Sequence, residues 1–380
     1  MNNTLDSKIY WGESEINAAY DKAKFQEFQQ QSPEQIKQAC TDKNGRLKHI
    51  IRAEHFDLEF LETICETAKA ARRVAKLEDK YLKSLLTGKS VLNYFAQESS
   101  RTFLSFSTAQ AHLGMRREDV RDIKTSSQMK GEPEKDSLRT HSSYFNSIVC
   151  RHPSDVYDLF AIWALSLSDR SVSFVNAGSG SKEHPTQGIL DYYTFRESHK
   201  EGLDGKSFAF VGDALRGRTI HSNMKILTLH QDITIYSVAP KHLQLDEETE
   251  TYLQQKGTKL IKVTDGLKDV VPLIDGAIYM TRIQDEHDKD KGKQKYDPKF
   301  IFEEEMLNQM RPGAILTHPL PKREEIAPGI DYYKKDPRIM LWRAVRNGMW
   351  TRAATFAYLF GVDDQIRGQY ERIKKAAATP

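Results

Sequence analysis

The chain has 380 residues, 39% hydrophobic and 10% aromatic, enough to fill two or three packed domains. Its 56 Lys and Arg against 53 Asp and Glu leave a net charge of +3, a balance that gives no reason to expect a nucleic-acid or membrane partner. No stretch approaches the roughly 20 apolar residues of a membrane span, the polar N-terminus has no secretion signal, and the three scattered cysteines (Cys40, Cys65, Cys150) suit a reducing compartment. A cytoplasmic protein is therefore expected, with the cysteines as small packing residues rather than nucleophiles.

Residues 1–45 are polar and rich in Gln, Lys and Glu, as in KFQEFQQQSPEQIKQACTDKNG, and read as one or two surface helices appended to a domain. After them a different rhythm begins. Short β-branched or aromatic runs alternate with longer stretches of helical period: SVLNYF (90–95), SIVC (147–150), SVSFVN (171–176), SFAFVG (207–212), DITIYSV (232–238), DGAIYMT (275–281) and GAILTH (313–318). Such alternation predicts a doubly wound α/β protein built on parallel sheets. DEHDKDKGKQK (285–295) is a dense mixed-charge loop, read as solvated surface.

The segments that follow these strands carry most of the chemistry. SVLNYF leads to Ser99-Ser100-Arg101-Thr102, and SIVC to Arg151-His152-Pro153. SVSFVN leads to AGSGSKEHPTQ, SFAFVG to DALRGRT, DGAIYMT to Arg282-Ile283-Gln284, and GAILTH to PLPKR. Open parallel sheets bind ligands outside the carboxyl ends of their strands. Six of the seven strand ends carry Arg, His or a Gly/Ser/Pro turn, which points to one cleft.

In SSRTFLSFSTAQAHLG, Phe103, Phe106, Ala109, Gln110 and Leu113 make one helical stripe, and Gly114 suits the position after the helix end. A helix therefore starts near Ser100 or Arg101, and its N-terminus, three hydroxyls and a guanidinium suit an anion. A plain Ser N-cap followed by a surface arginine would read the same. Pro185 fits the first position of a second helix, with His184 and Gln187 at its start after a loop read as flexible; a purely structural His184 also fits. VGDALRGRTIHS lacks the G-x-G-x-x-G spacing of a dinucleotide fold, and its Arg216 and Arg218 suit carboxylates better. Arg282 and Gln284, two apart after a strand, share a side. Lys130 lies in a loop without an apolar anchor and reads as solvated surface.

Taken in order, SSRTFLSF, MKGE, IVCRHP, NAGSGSKEHPTQ, VGDALRGRTIHS, YMTRIQ, THPLPKR and NGMWTRAA resemble the transcarbamylase family over roughly residues 46–365. HPTQ, YMTRIQ and HPLP resemble its aspartate branch rather than its ornithine branch. The resemblance implies a carbamoyl-phosphate-binding domain (46–183), rejoined by a C-terminal helix (346–372), an aspartate-binding domain (184–345), and an active site in the cleft between them. It implies transfer of the carbamoyl group from carbamoyl phosphate to L-aspartate, within pyrimidine biosynthesis. It also implies a homotrimer with shared sites, no metal and no organic cofactor; regulatory chains stay open.

Carried over by position, Ser99, Ser100, Arg101 and Thr102 would grip the phosphate, and Lys130 would reach both substrates from an adjacent subunit. Arg151 would bridge phosphate and carbamoyl oxygen, His184 and Thr102 would polarise the carbonyl, and Gln187 with the backbone of Pro319 and Leu320 would hold the carbamoyl NH2. Arg218, Arg282 and Gln284 would bind the carboxylates of aspartate. Three positions depart from the family pattern: Glu98, where proline is usual, Met129, where a second lysine is frequent, and His287, where an arginine is expected. They keep two other readings beside the first: a carbamoyltransferase for another amino-acid or amide acceptor, and a catalytically weakened carbamoyl-phosphate-binding subunit.

Overall fold

A computed structural model describes residues 8–121, 131–284 and 296–378. The chain divides into two units, Met1–Thr186 with Met349–Pro380, and Gln187–Gly348.

The first unit opens on helices α1 (Glu15–Gln29) and α2 (Pro33–Ala39). Ser14 caps α1, while Ser32 and Gln35 form a reciprocal capping box around Pro33 at the start of α2. These helices are more than an appendage. Phe25 is buried among aromatic rings, with centroids 6.0 Å from Trp11, 5.6 Å from Phe160 and 5.6 Å from Trp163. The Glu134 N–H donates to the Tyr10 carbonyl at 3.0 Å, and Lys135 pairs with Asp21 at 2.6 Å. The stretch ahead of residue 46 is thus part of this unit's core.

Then follow β1 (His49–Ile50), α3 (Leu58–Leu77), α4 (Asp79–Ser84), β2 (Ser90–Phe95), α5 (Ser100–His112), β3 (Arg116–Val120), α6 (Glu134–Tyr144), β4 (Ser147–His152), α7 (Tyr157–Ser166) and β5 (Ser173–Ser179). The sheet runs β1-β5-β4-β2-β3 with every pair parallel. β2 and β4 are buried along their whole length, as continuous apolar runs demand when helices cover both faces.

The unit boundaries fall within α8 (Pro185–Ser198) and α11 (Leu341–Leu359). Between them the second unit contains β6 (Ser207–Val211), α9 (Arg218–Leu227), β7 (Thr234–Val238), α10 (Glu247–Gln255), β8 (Lys259–Val263), β9 (Ala277–Met280) and β10 (Ile315–Thr317). Its sheet runs β10-β9-β6-β7-β8, again parallel throughout. The last helix, α12 (Asp363–Ala378), returns to α3 in the first unit, where Arg367 Nη1 donates to Thr67 Oγ1 at 2.6 Å.

All seven runs expected as strands are strands, shifted at their ends by up to three residues. Three strands, β1, β3 and β8, have no counterpart in the sequence reading, and each lies at a sheet edge. An edge strand packs fewer side chains and needs no continuous apolar run. β3 (RREDV) exposes its four charged residues, and charge at an edge blocks further pairing.

The strand order also locates the sites. From β2 the chain passes to β3 on one side, whereas from β4 it passes to β5 on the other, so the first sheet reverses direction between β2 and β4. The second sheet reverses between β6 and β9. Crevices open at the carboxyl ends of strands at such switch points.

Candidate active site

At the first switch point, Arg151 on β4 pairs in register with Phe95 on β2, and the Gln97 N–H donates to the Arg151 carbonyl at 3.2 Å. Four residues beyond Phe95, Ser99 is the N-cap residue of α5. Its hydroxyl makes no capping hydrogen bond among the described residues, which leaves the first-turn N–H groups and the positive end of the helix dipole without a cap from Ser99. Ser100 and Arg101 are exposed there, while Thr102 is buried. Phe103 and Phe106 hold the helix: their rings meet Phe95 and Phe356 edge-on at 5.4 and 6.0 Å. Glu98, just ahead, is exposed.

Arg151 is 7% exposed, and its Nη1 donates to the Ala177 carbonyl at 3.2 Å. On the neighbouring strand, β5, the chain runs on to His184, 5% exposed, whose Nδ1 lies 3.5 Å from the Thr186 hydroxyl. The intervening AGSGSKE loop, expected to be flexible, is firmly held. Asn176 Oδ1 accepts from the Gly178 N–H at 2.8 Å, and Asp155 Oδ1 accepts from the Ser181 N–H at 2.6 Å. Gly180 sits at φ +46°, where a Cβ would lie 1.8 Å from the Asp155 carboxylate; only glycine fits. Ser99–Thr102, Arg151 and His184 thus lie at or beyond the carboxyl ends of three adjacent strands, β2, β4 and β5.

The second unit repeats this plan. Arg218 opens α9 after β6, Arg282 and Gln284 follow β9, and Pro319 and Leu320 follow β10, again three adjacent strands. Arg218, Arg282 and Gln284 are half-buried, and Ile283 between the last two turns into the core. Arg216 does bind a carboxylate, but one of its own chain: Nη2 meets the fully buried Asp213 at 2.9 Å. Asp213 also accepts from the Gln284 N–H at 3.0 Å, and Gln284 Nε2 donates to the Arg216 carbonyl at 2.8 Å. Arg216 therefore ties the β6 loop to the β9 loop.

In the HPLP segment, buried His318 lies with Nε2 2.7 Å from Glu325, and its Nδ1 accepts the Leu320 N–H at 2.7 Å. A carboxylate can only accept, so His318 carries its proton on Nε2. Burial alone would raise the Glu325 carboxyl, but the His318 bond and the Arg323 N–H hold it below its ordinary value. Leu320 adopts φ +58°, an unfavourable backbone for a branched residue that leaves it half-exposed beside Pro319.

Gln187 makes two 3.2 Å contacts from Nε2 to Asp191, and Asp191 Oδ2 accepts from Asn223 at 2.9 Å and from the Tyr279 hydroxyl at 2.8 Å. Burial and the adjacent Asp191 push the Tyr279 phenol well above its ordinary value. Asp191, Asn223, Asp213 and Glu325 were missed in the sequence. Only Asp191 carried a usable signal, four residues after Gln187 on one helix face.

Lys130, Met129 and His287 lie outside the described residues. The three cysteines are free and buried, and burial pushes the Cys40 thiol to about 12, which removes it as a nucleophile. Among the described residues no helix is long and apolar enough to cross a membrane.

The family model for the aspartate/ornithine carbamoyltransferase carbamoyl-P binding domain matches residues 48–197, and that for the Asp/Orn binding domain matches residues 204–359. This chain belongs to the aspartate/ornithine carbamoyltransferase family. It is 35% identical to the aspartate carbamoyltransferase catalytic subunit of Chromobacterium violaceum, over 81% of this chain and 96% of the relative. It is 33% identical to the chloroplastic aspartate carbamoyltransferase of Arabidopsis thaliana, over 83% and 79%. Among solved structures, the catalytic subunit of M. jannaschii aspartate transcarbamoylase aligns with a TM-score of 0.72 at 33% identity, over 83% of this chain and 98% of that one. The Trypanosoma cruzi enzyme in complex with aspartate and phosphate aligns with a TM-score of 0.70 at 31% identity, over 81% and 93%. Residues 1–47 precede the matched region.

Proposed function

We propose that this chain is an aspartate carbamoyltransferase, which transfers the carbamoyl group of carbamoyl phosphate to L-aspartate, giving N-carbamoyl-L-aspartate and phosphate for pyrimidine biosynthesis. The observation that carries the reading is the concentration of donors at the first sheet's switch point: Arg151 opposite Phe95, with uncapped Ser99 and the α5 N-terminus one turn further on.

The chemistry requires donors. The neutral amine of aspartate attacks the carbamoyl carbon, the bond from that carbon to the phosphate oxygen breaks, and phosphate leaves while the nitrogen loses a proton. Negative charge builds on the carbamoyl oxygen. Fixed cationic and hydrogen-bond donors aimed at that oxygen lower the barrier most in a dry site. Arg151 and Thr102, both buried, and His184 fit this role. His184 Nδ1 lies 3.5 Å from the Thr186 hydroxyl, and in the tautomer that carries the proton on Nε2 the ring donates to the carbamoyl oxygen. Ser99, Ser100 and Arg101 bind the phosphate with the helix end. Gln187 and the Pro319 and Leu320 carbonyls accept from the carbamoyl NH2, while Arg218, Arg282 and Gln284 hold the aspartate carboxylates. Lys130 keeps its assignment from an adjacent subunit.

The same reading carries a homotrimer and a cytoplasmic setting, the latter in keeping with three buried free thiols. Purified protein incubated with labelled carbamoyl phosphate and aspartate is expected to release N-carbamoyl-L-aspartate. Folded protein giving none above background would remove the reading, and preference for another amine acceptor would redirect it.

A further inference from the structure

Gln187 lies in the first turn of α8, and Asp191 lies one turn later on the same face. Its Nε2 is 3.2 Å from each Asp191 oxygen. Because an ionised carboxylate offers only acceptors, the NH2 end of the Gln187 amide is the end that turns inward. Asp191 itself is held by two more donors, Asn223 Nδ2 from α9 at 2.9 Å and the Tyr279 hydroxyl from β9 at 2.8 Å, and all three residues are at most 1% exposed. Three donors from three elements hold this one buried carboxylate in place. Gln187, half-buried, is left with one atom to present: its carbonyl Oε1.

We propose that Asp191 is a positioning residue that locks the Gln187 amide with its oxygen toward the substrate, so that the site selects an acyl phosphate bearing NH2 over one bearing CH3. The proposal rests on the reading that Gln187 meets the carbamoyl NH2. An amide free to rotate would offer its own NH2 half the time and repel that group; the buried carboxylate removes this alternative. Selection comes from an acceptor that an NH2 satisfies and a methyl leaves desolvated.

Asp191→Asn is a sharp probe. Asn223 and Tyr279 both donate to Oδ2, so an asparagine can keep them on its single oxygen. Its NH2 then faces Gln187, whose amide must rotate to accept from it and show the wrong end to the substrate. Binding is measured by calorimetry with phosphonoacetamide and phosphonoacetone, which differ only in NH2 against CH3, alongside turnover with carbamoyl phosphate. The wild type is expected to prefer the amide about tenfold or more, and Asp191→Asn to lose about tenfold on the amide while the ketone stays within about twofold. Kcat/KM for carbamoyl phosphate falls in parallel, and KM for aspartate stays.

Adding Gln187→Glu to Asp191→Asn restores a donor–acceptor pair with an oxygen outward and is expected to recover part of the preference. Equal losses on both phosphonates, or a wild type indifferent to them, overturns the proposal. If Asp191→Asn does not fold, Gln187→Ala decides: a preference that it leaves undiminished overturns the proposal equally. Absence of carbamoyl-aspartate from the wild type would instead overturn the proposed reaction, since the phosphonate comparison does not depend on turnover.

Discussion

Arg151 illustrates how much one buried guanidinium can carry. It is held by the Ala177 carbonyl, with its backbone locked in the β2–β4 ladder, so its charge is already placed before a substrate arrives. Arg151→Ala is expected to lower kcat a hundredfold to a thousandfold, about 2.7–4 kcal/mol of barrier; steady-state kinetics checks it. Arg216 and Arg218, two apart in one loop, are expected to part company. Arg216→Ala leaves buried Asp213 short of its cation, so thermal stability falls, by about 3–5 kcal/mol if the charge stays buried. Arg218→Ala is expected to raise KM for aspartate, which steady-state kinetics checks. Both arginines were legible in sequence as carboxylate binders. That one partner is Asp213 was not, because a lone aspartate after a strand looks alike whether it faces a ligand or an arginine.

Among the elements, α1 is the one the sequence undervalued. A Gln- and Lys-rich stretch read as surface, yet Phe25 seats α1 on Phe160 and Trp163 of α7. Two or three apolar residues on a polar helix suffice when the partner surface is aromatic. Phe25→Ala is expected to cost about 3–5 kcal/mol, read as a lower urea midpoint, and a shift within error would return α1 to the status of an appendage. Three of the four edge strands escaped the sequence reading, and only β10 among them was read as a strand. Central ones such as β2 and β4 announce themselves because both faces are buried, whereas the edge strands β1, β3 and β8 need only pairing partners supplied by other parts of the chain.

For the molecule as a whole, acid stability follows from buried neutral histidines. Burial pushes His49, whose Nδ1 accepts the Phe174 N–H at 3.0 Å, down to about 3, and lowers His55 to about 4. In the unfolded chain each binds a proton near pH 6.5. Between about pH 6.5 and 4 the unfolded state therefore holds more protons, and stability falls as pH falls, by about 1.4 kcal/mol per pH unit for each histidine. Denaturation midpoints across this range check the slope, and His49→Gln is expected to remove one histidine's share. Assembly has its own test: Lys130→Ala and Arg151→Ala chains, each impaired alone, are expected to regain activity when mixed if Lys130 serves a neighbour's site.

Sequence by itself determined the α/β class, the central strands and the donors at their ends, because apolar runs and strand-end residues are local features that tertiary context does not rewrite. Only the tertiary structure decided which strands neighbour one another, and with that where the two switch points open. It also decided that Asp213 and Asp191 restrain the groups beside them. Those are decisions about distance between residues remote in the chain, and a buried carboxylate takes its role from whichever donors the fold brings to it.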